Sequence, residues 1–519
     1  MKQTEITEAI KNRILILDGA MGTMIQRYSL TEKDFHGEIF PETSKQLQGN
    51  SECLNLTRPD VIKAIHKEYI KAGADIIESN TFSANRISQE EYGCGSYAYK
   101  MAFEGAKIAR EAADEAMEWF DKTVYVAGSI GPTSKSLSLA SDINDPTFRA
   151  YDFDTMTEAY SEQIAGLVDA GVDLLLIETC FDALNVKAVL YAINKNPKAA
   201  KLPIMVSASA SDRSGRTLTG QTLKAFYTSI RHANIFSFGI NCSLGADEMT
   251  PLIQDISSWA ECAVSCYPNA GLPNEMGEYD QSPEDMAKAV TKMVGHINIA
   301  GGCCGTSPAH IKAIAKALEG TSPRPQPLAS EKLMVSGLEA YTIDLKANNF
   351  TNVGERTNVA GSRKFARLIA EGKYDEALSI AANQIEAGAT IIDINMDDAM
   401  LDSTKEMERF VRYISNDPAV AKAALMIDSS HWETIIAGLK NAQGKCIVNS
   451  ISLKEGPEAL IEKARIIKSF GAAMVVMAFD EKGQATTYDR KIEICSRAYR
   501  LLTEKAGVSP EDIIFDANI

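Results

Sequence analysis

The chain has 519 residues, 45% of them apolar and 24% charged, with a formal net charge of −16. That length exceeds a single hydrophobic core and predicts two domains or three, while the acidic balance disfavours nucleic acid and anionic membranes as partners. No run of 18 apolar residues occurs and no basic-then-apolar leader opens the sequence, so the expected setting is cytoplasmic, with the ten cysteines serving as free thiols or metal ligands.

The first 320 residues repeat one pattern: a short apolar run, a polar or glycine-rich turn, then an amphipathic helix. Ile14–Leu17 leads into Asp18-Gly19-Ala20-Met21-Gly22-Thr23, and Asp75–Ile77 into Glu78-Ser79-Asn80. Val124–Ala127 leads into Gly128-Ser129, and Asp173–Ile177 into Glu178-Thr179-Cys180. Runs from Pro203, Ile235 and Ala263 follow, the second ending in Asn241-Cys242 and the third in Tyr267-Pro268-Asn269. An eighth, Ile297–Ala300, ends in Gly301-Gly302-Cys303-Cys304-Gly305-Thr306. Eight β/α units predict a (β/α)₈ barrel, whose chemistry sits at the C-terminal ends of its strands.

Residues 323–340, rich in proline, are expected to form a linker between a first domain of residues 1–322 and a second of residues 341–519. The pattern then restarts. Six further runs end in Gly354–Asn358, Asp393–Asp397, Asp428–Ser430, Asn449–Ser452, Ala478–Asp480 and Asp516–Asn518. The second unit is therefore predicted as a barrel truncated after about six β/α units. Its open sheet would expose two edges and part of its interior, leaving it poorly soluble alone or patched by another chain.

Adjacent cysteines on a strand-to-helix turn suit a soft metal better than a strained mutual bridge. Zinc prefers four ligands, with sulfur at about 2.3 Å, so Cys303 and Cys304 need a third, and Cys242 at another strand end is the best candidate. Three thiolates with an open fourth position would take a substrate thiol and lower its pKa, readying it to attack an activated methyl group. The alternatives are a closed site with a histidine as fourth ligand, or three buried cysteines without metal; His310, six residues past Cys304, should lie one or two turns down the helix. Cys180 and Cys266 read as buried small hydrophobes.

Asp18 and Glu178 end the first and fourth strands, where they could hold an ammonium group. Backbone N–H groups of the turn from Gly19 and Ala20 to Thr23 could take a carboxylate, and together these suit an amino acid. The other possibility is that they cap helices. In the second unit Asp428, Asn449 and Asp516 end strands, with Asn358, Asp393 and Asn395 beside them. Donors and acceptors on one rim suit a flat heterocycle such as a pterin; magnesium is the alternative for so many acids.

These motifs together resemble the N-terminal half of the cobalamin-dependent methionine synthases, over the whole chain. The stretches that carry it are Asp18–Thr23, Asn241-Cys242, Gly301–Thr306, Gly354–Ser362, Asp393–Asp397, Ile427–Ser430 and Val448–Ser452. The resemblance implies zinc on Cys242, Cys303 and Cys304 activating homocysteine, whose polar end lies near Asp18, Gly19, Ala20 and Glu178. It implies folate contacts from Gly361, Ser362, Arg363, Asp428, Asn449 and Asp516. In that family the methyl group passes from 5-methyltetrahydrofolate to cob(I)alamin, and from methylcobalamin to homocysteine. An Asp-x-His-x-x-Gly cobalamin motif has no counterpart in this sequence, and Ala517 stands where the family usually has proline. Cobalamin is therefore expected free or on another domain. The rival functions are a cobalamin-independent homocysteine S-methyltransferase with a sulfonium or betaine donor, and a non-catalytic folate- or thiol-binding module.

Overall fold

A computed structural model describes residues 2–40, 45–120, 122–275, 277 and 279–518, without the side chains of 2–4 and 120. Residues 1 and 519, the outer limits of the two expected domains, lie outside the described residues. The first eight strands are β1 Leu15–Ile16, β2 Ile76–Glu78, β3 Tyr125–Ile130, β4 Leu174–Cys180, β5 Ile204–Ala208, β6 Ser237–Gly245, β7 Ala263–Asn269 and β8 Ile299–Ala300. They form one parallel sheet in which β1 pairs with β8, and a bridge between Leu17 and Ile76 brings β1 back to β2. The result is the expected (β/α)₈ barrel.

Alternate residues of each strand face the lumen. Leu15, Leu17, Ile76, Tyr125, Ala127, Leu174, Leu176, Met205, Ala263 and Ile299 form one buried cluster there, while Ile77, Val126, Leu175 and Val206 pack outward against the helices. Ile6 and Ile10 belong to the lumen cluster as well. They share one face of the helix Lys2–Asn12, which closes the N-terminal end of the barrel.

The stretch expected to be a linker is more structured than its prolines indicate. Arg324 is buried and donates to the carbonyls of Ser257, Ala260 and Cys262, capping the end of the helix Ala246–Trp259. Strands β9 Leu333–Ser336 and β10 Ala340–Ile343 then form an antiparallel hairpin. Its Leu333 and Val335 pack on Ile391, Ala424, Ile447 and Ala473. The hairpin thus closes the bottom of the second sheet as the N-terminal helix closes the first.

That sheet consists of β11 Val353–Asn358, β12 Ile391–Asn395, β13 Ala424–Asp428, β14 Ile447–Ile451 and β15 Ala473–Met477; after the small hairpin of β16 Phe479–Asp480 with β17 Gly483–Gln484 comes β18 Ile513–Asp516. The six parallel strands run in the order β11-β12-β13-β14-β15-β18, open at both edges among the described residues.

The two barrels share one continuous apolar cluster. Phe153 and Tyr191 of the first meet Phe470 of the second at ring separations of 5.4 and 5.2 Å. Lys187, fully buried, reaches across to the carbonyls of Ala442 (3.1 Å) and Gly444 (2.5 Å). Among the described residues no helix is long and apolar enough to cross a membrane.

Candidate metal centre and substrate pockets

All three cysteines singled out in the sequence meet at the C-terminal rim of the first barrel. Pairing between β6 and β7 is irregular from Asn241 to Gly245, and Cys242 and Ser243 adopt φ of 59° and 62°, a left-handed backbone uncommon for residues with a side chain. This local turn aims Cys242 toward the loop after β8. The Cys303 amide donates to the Pro268 carbonyl at 2.8 Å, and the Cys304 carbonyl accepts from the Ala270 amide at 2.9 Å. Cys242 Sγ and Cys304 Sγ stand 3.9 Å apart, and the three sulfurs lie within 4.8 Å of one another. Two thiolates sharing a tetrahedral zinc at about 2.3 Å are separated by about 3.8 Å, so the donor set fits zinc. Crowding keeps all three from ionising together: hydrogen bonds from Cys242 and Cys303, helped by Tyr279, pull the Cys304 pKa down to about 3 while that of Cys303 rises. His310 takes no part, since its ring bonds Ser307 and the Gln281 carbonyl at the start of the helix Pro308–Leu318.

Behind the cysteines sits Asn241, buried and facing the lumen. Its Oδ1 accepts from the Thr179 amide (3.0 Å) and Ser207 Oγ (2.7 Å). Its Nδ2 donates to Thr179 Oγ1 (2.8 Å) and lies 3.9 Å from Cys303 Sγ. One amide side chain therefore ties β4, β5 and β6 together beside the sulfurs. Asn269 ends β7 with 1% exposure and its Oδ1 unpaired. Cys180 and Cys266 are buried, and burial pushes their thiols up.

Asp18 and Glu178 are both buried in the same rim. Asp18 Oδ2 accepts the Glu78 amide at 3.1 Å, and its Oδ1 has no partner. Glu178 accepts a short hydrogen bond from Ser129 Oγ. Burial raises the Asp18 pKa well above the usual carboxylate range, with repulsion from Glu178 adding to it. Burial and the nearby Cys242 raise Glu178 to about 7. Gly19 is required by close approach: a Cβ there would stand 2.7 Å from Thr306 Oγ1 and 2.9 Å from the Tyr69 ring. The Ala20 amide donates to Thr306 Oγ1 at 3.2 Å, which leaves the amides opening the short helix Met21–Gln26 as the donors for a carboxylate. Glu78, Asn241, Asn269 and Tyr279 are rim residues that sequence reasoning did not assign a role. Strand parity could have found Glu78, two residues beyond inward-facing Ile76.

On the second barrel the rim is a connected polar network. Asn358 Nδ2 reaches Asp393 Oδ2 (3.2 Å) and Asp428 Oδ2 (3.3 Å), and Asn395 Nδ2 donates to the same Asp428 oxygen at 3.0 Å. Asn449 is the register partner of Asp428 on the next strand, and Asp393 Oδ1 is buried without a hydrogen-bond partner. Burial and the charge of Asp428 raise Asp393 to about 7. Gly361 donates its amide to Asn358 Oδ1 at 3.0 Å, and Ser362 caps the helix Arg363–Ala370, with Gly361 and Arg363 exposed. Asp516 stands apart on the edge strand β18, paired with Met477. The structure thus brings Asn358, Asp393, Asn395, Asp428 and Asn449 together and leaves Arg363 and Asp516 at the margins.

Residues 15–318 match the family profile described as homocysteine S-methyltransferase. The chain belongs to the homocysteine S-methyltransferase family. Residues 354–519 match the profile of the pterin binding enzymes, the combination present in the N-terminal modules of methionine synthase. Among solved structures, the oxidized form of the Escherichia coli homocysteine methyltransferase MmuM is 21% identical with a TM-score of 0.46, over 58% of this chain and 95% of that one. Its metallated form gives 21% and 0.46 over 59% and 96%. A rubisco-like protein from Burkholderia fungorum gives 11% and 0.32 over 60% and 62%. The two profile matches make the chain a methyltransferase by family, joined to a pterin-binding domain.

Proposed function

We propose that the protein forms methionine by methyl transfer to homocysteine on the first barrel, with 5-methyltetrahydrofolate bound on the second as the primary methyl donor. The observation that carries this is the trio Cys242, Cys303 and Cys304, three sulfurs within 4.8 Å beside buried carboxylates on one barrel rim. Cys242, Cys303 and Cys304 would hold zinc, which would lower the pKa of a substrate thiol brought to it. Asn241 holds Cys303 and the Thr179 turn in place. Asp18 and Glu178 bind the ammonium of homocysteine, and the amides opening Met21–Gln26 take its carboxylate, so that the thiol is left pointing at the cysteines. Methylcobalamin, free or on a domain outside this chain, would supply the methyl group to sulfur and leave as cob(I)alamin, which 5-methyltetrahydrofolate would remethylate.

On the second barrel Asp393, Asp428, Asn449, Asn358 and Asn395 present a carboxyl–amide edge to the pterin ring, and the turn Gly361-Ser362-Arg363 and Asp516 flank it. Asp393, with an unpaired buried oxygen, is suited to an N–H group of the heterocycle.

The test is methionine formation from homocysteine and free methylcobalamin by zinc-loaded protein, beside Cys303→Ser. Turnover by the wild type, lost with its zinc in the variant, supports the proposal. Transfer from a sulfonium or betaine donor without cobalamin assigns the protein to that class. Bound zinc without turnover from any donor makes it a binding module.

A further inference from the structure

The loop of residues 209–222 runs from the end of β5, on the rim that carries the cysteines, to the helix Leu223–Ile230. It folds on itself as a small antiparallel excursion. Arg216 bridges Thr222, the Ser211 amide donates to the Arg216 carbonyl at 2.8 Å, and the Thr217 amide donates to the Gln221 carbonyl at 2.9 Å. Cross-linked in this way, the loop moves as a unit and carries a displacement from one of its ends to the other.

At the first end the hydroxyls of Ser209 and Ser243 share a hydrogen bond of 2.7 Å, and the Ser209 amide donates to the Cys180 carbonyl at 2.8 Å. Ser243 directly follows Cys242, and both hold left-handed backbone, which residues with a side chain keep only where their neighbours impose it. The second end belongs to the other barrel. Gln221, fully buried, donates from Nε2 to the Gly337 carbonyl at 2.9 Å, the Thr222 amide donates to the Leu338 carbonyl at 3.0 Å, and Arg216 pairs with Glu339. Residues 337–339 form the turn between β9 and β10, itself fixed to the base of the second barrel. There the Ser336 amide donates to the Lys445 carbonyl at 3.2 Å, and the Leu338 amide to the Ala421 carbonyl at 2.8 Å.

We propose that Gln221 is a positioning residue of the cysteine centre: clamped by the second barrel, it fixes the loop whose far end holds Cys242 within reach of Cys303 and Cys304. The inference rests on the trio being a metal centre. The pair of Arg216 with Glu339 is the lesser part of the clamp, since both side chains are more than a third exposed and such pairs contribute little. Gln221 is the greater part, because removing its N–H group strands the buried Gly337 carbonyl. The first barrel's metal rim is in this way completed by the base of the second.

The test compares wild-type full chain with Q221M, S209A and the double variant. Competition against a chromophoric chelator gives zinc affinity, and hydrogen–deuterium exchange on the metal-free proteins reads the loops without zinc. Melting temperatures show that each variant is folded; L338A, which withdraws a side chain from Gly220, replaces Q221M should that variant not fold. Each single substitution should weaken zinc about tenfold and speed exchange over residues 209–222 and 241–245. Because both cut one tether, the double variant should bind zinc within about twofold of the single variants. Either single variant binding zinc like the wild type, or a double variant weakened about a hundredfold, the product of two independent effects, overturns the proposal. Wild-type protein that holds no zinc overturns the reading of the trio as a metal centre. The exchange measurement then decides the tether alone: faster exchange at residues 241–245 in Q221M upholds it, and exchange altered only within 209–222 overturns it.

Discussion

Replacing Asn241 with alanine separates the support of the cysteines from the cysteines themselves. The side chain is fully buried and makes three hydrogen bonds of 2.7 to 3.0 Å to Thr179 and Ser207. Without it the Thr179 amide is stranded in the barrel, at about 1–3 kcal/mol, and two hydroxyl bonds worth about 1 kcal/mol each, to Ser207 Oγ and Thr179 Oγ1, are lost. The first barrel should therefore lose about 3–5 kcal/mol of stability. Thr179 and Cys242 both hold left-handed backbone, φ 55° and 59°, and both turns flank this one amide. Loosening them should weaken zinc about 10–100-fold, the usual effect of removing a group that orients a ligand. Competition against a chromophoric chelator measures the affinity, and guanidinium denaturation of the same samples measures the stability. Asn241→Asp keeps the acceptor for Thr179, so it should recover part of the stability but not the donor beside Cys303. An Asn241→Ala protein that binds zinc and denatures like wild type would refute the reasoning.

Gly19→Ala puts a methyl group 2.7 Å from Thr306 Oγ1, so it should cost about 1–3 kcal/mol by overpacking and weaken homocysteine; denaturation and calorimetry check both. Ile6→Ala and Ile10→Ala empty the plug beneath the first barrel, and each should cost about 2–5 kcal/mol, seen as a lower denaturation midpoint with zinc affinity unchanged. Asp393 is raised from 3.8 to about 7 in the folded protein. Its contribution is therefore present below about pH 4 and lost as pH rises to about 7, so Asp393→Asn should flatten that part of the stability–pH profile while weakening pterin binding.

The strands were legible because their apolar runs end in polar motifs at each rim. In the structure most extend into those motifs, as β4 does through Glu178 to Cys180. The cysteine trio was legible for a chemical reason, two adjacent thiols needing a third. What escaped has physical causes. Leu333 to Ser336 is only four residues, and after a proline-rich stretch its role as a plug depends on the sheet above it. Lys187 on a helix looks like a surface residue until Ala442 and Gly444 cover it. Asn241 stood beside a ligand candidate, but its reach to Thr179 and Ser207 spans strands far apart in sequence. The amide of Ala20 was a sound candidate donor locally, and only the approach of Thr306 from the eighth unit occupies it.

Zinc X-ray absorption on the metal-loaded protein, before and after homocysteine, addresses the centre of the mechanism directly. Three sulfur neighbours at about 2.3 Å, rising to four when homocysteine binds, is the expected result. Fewer than three sulfurs at rest, or a count unchanged by homocysteine, would contradict it.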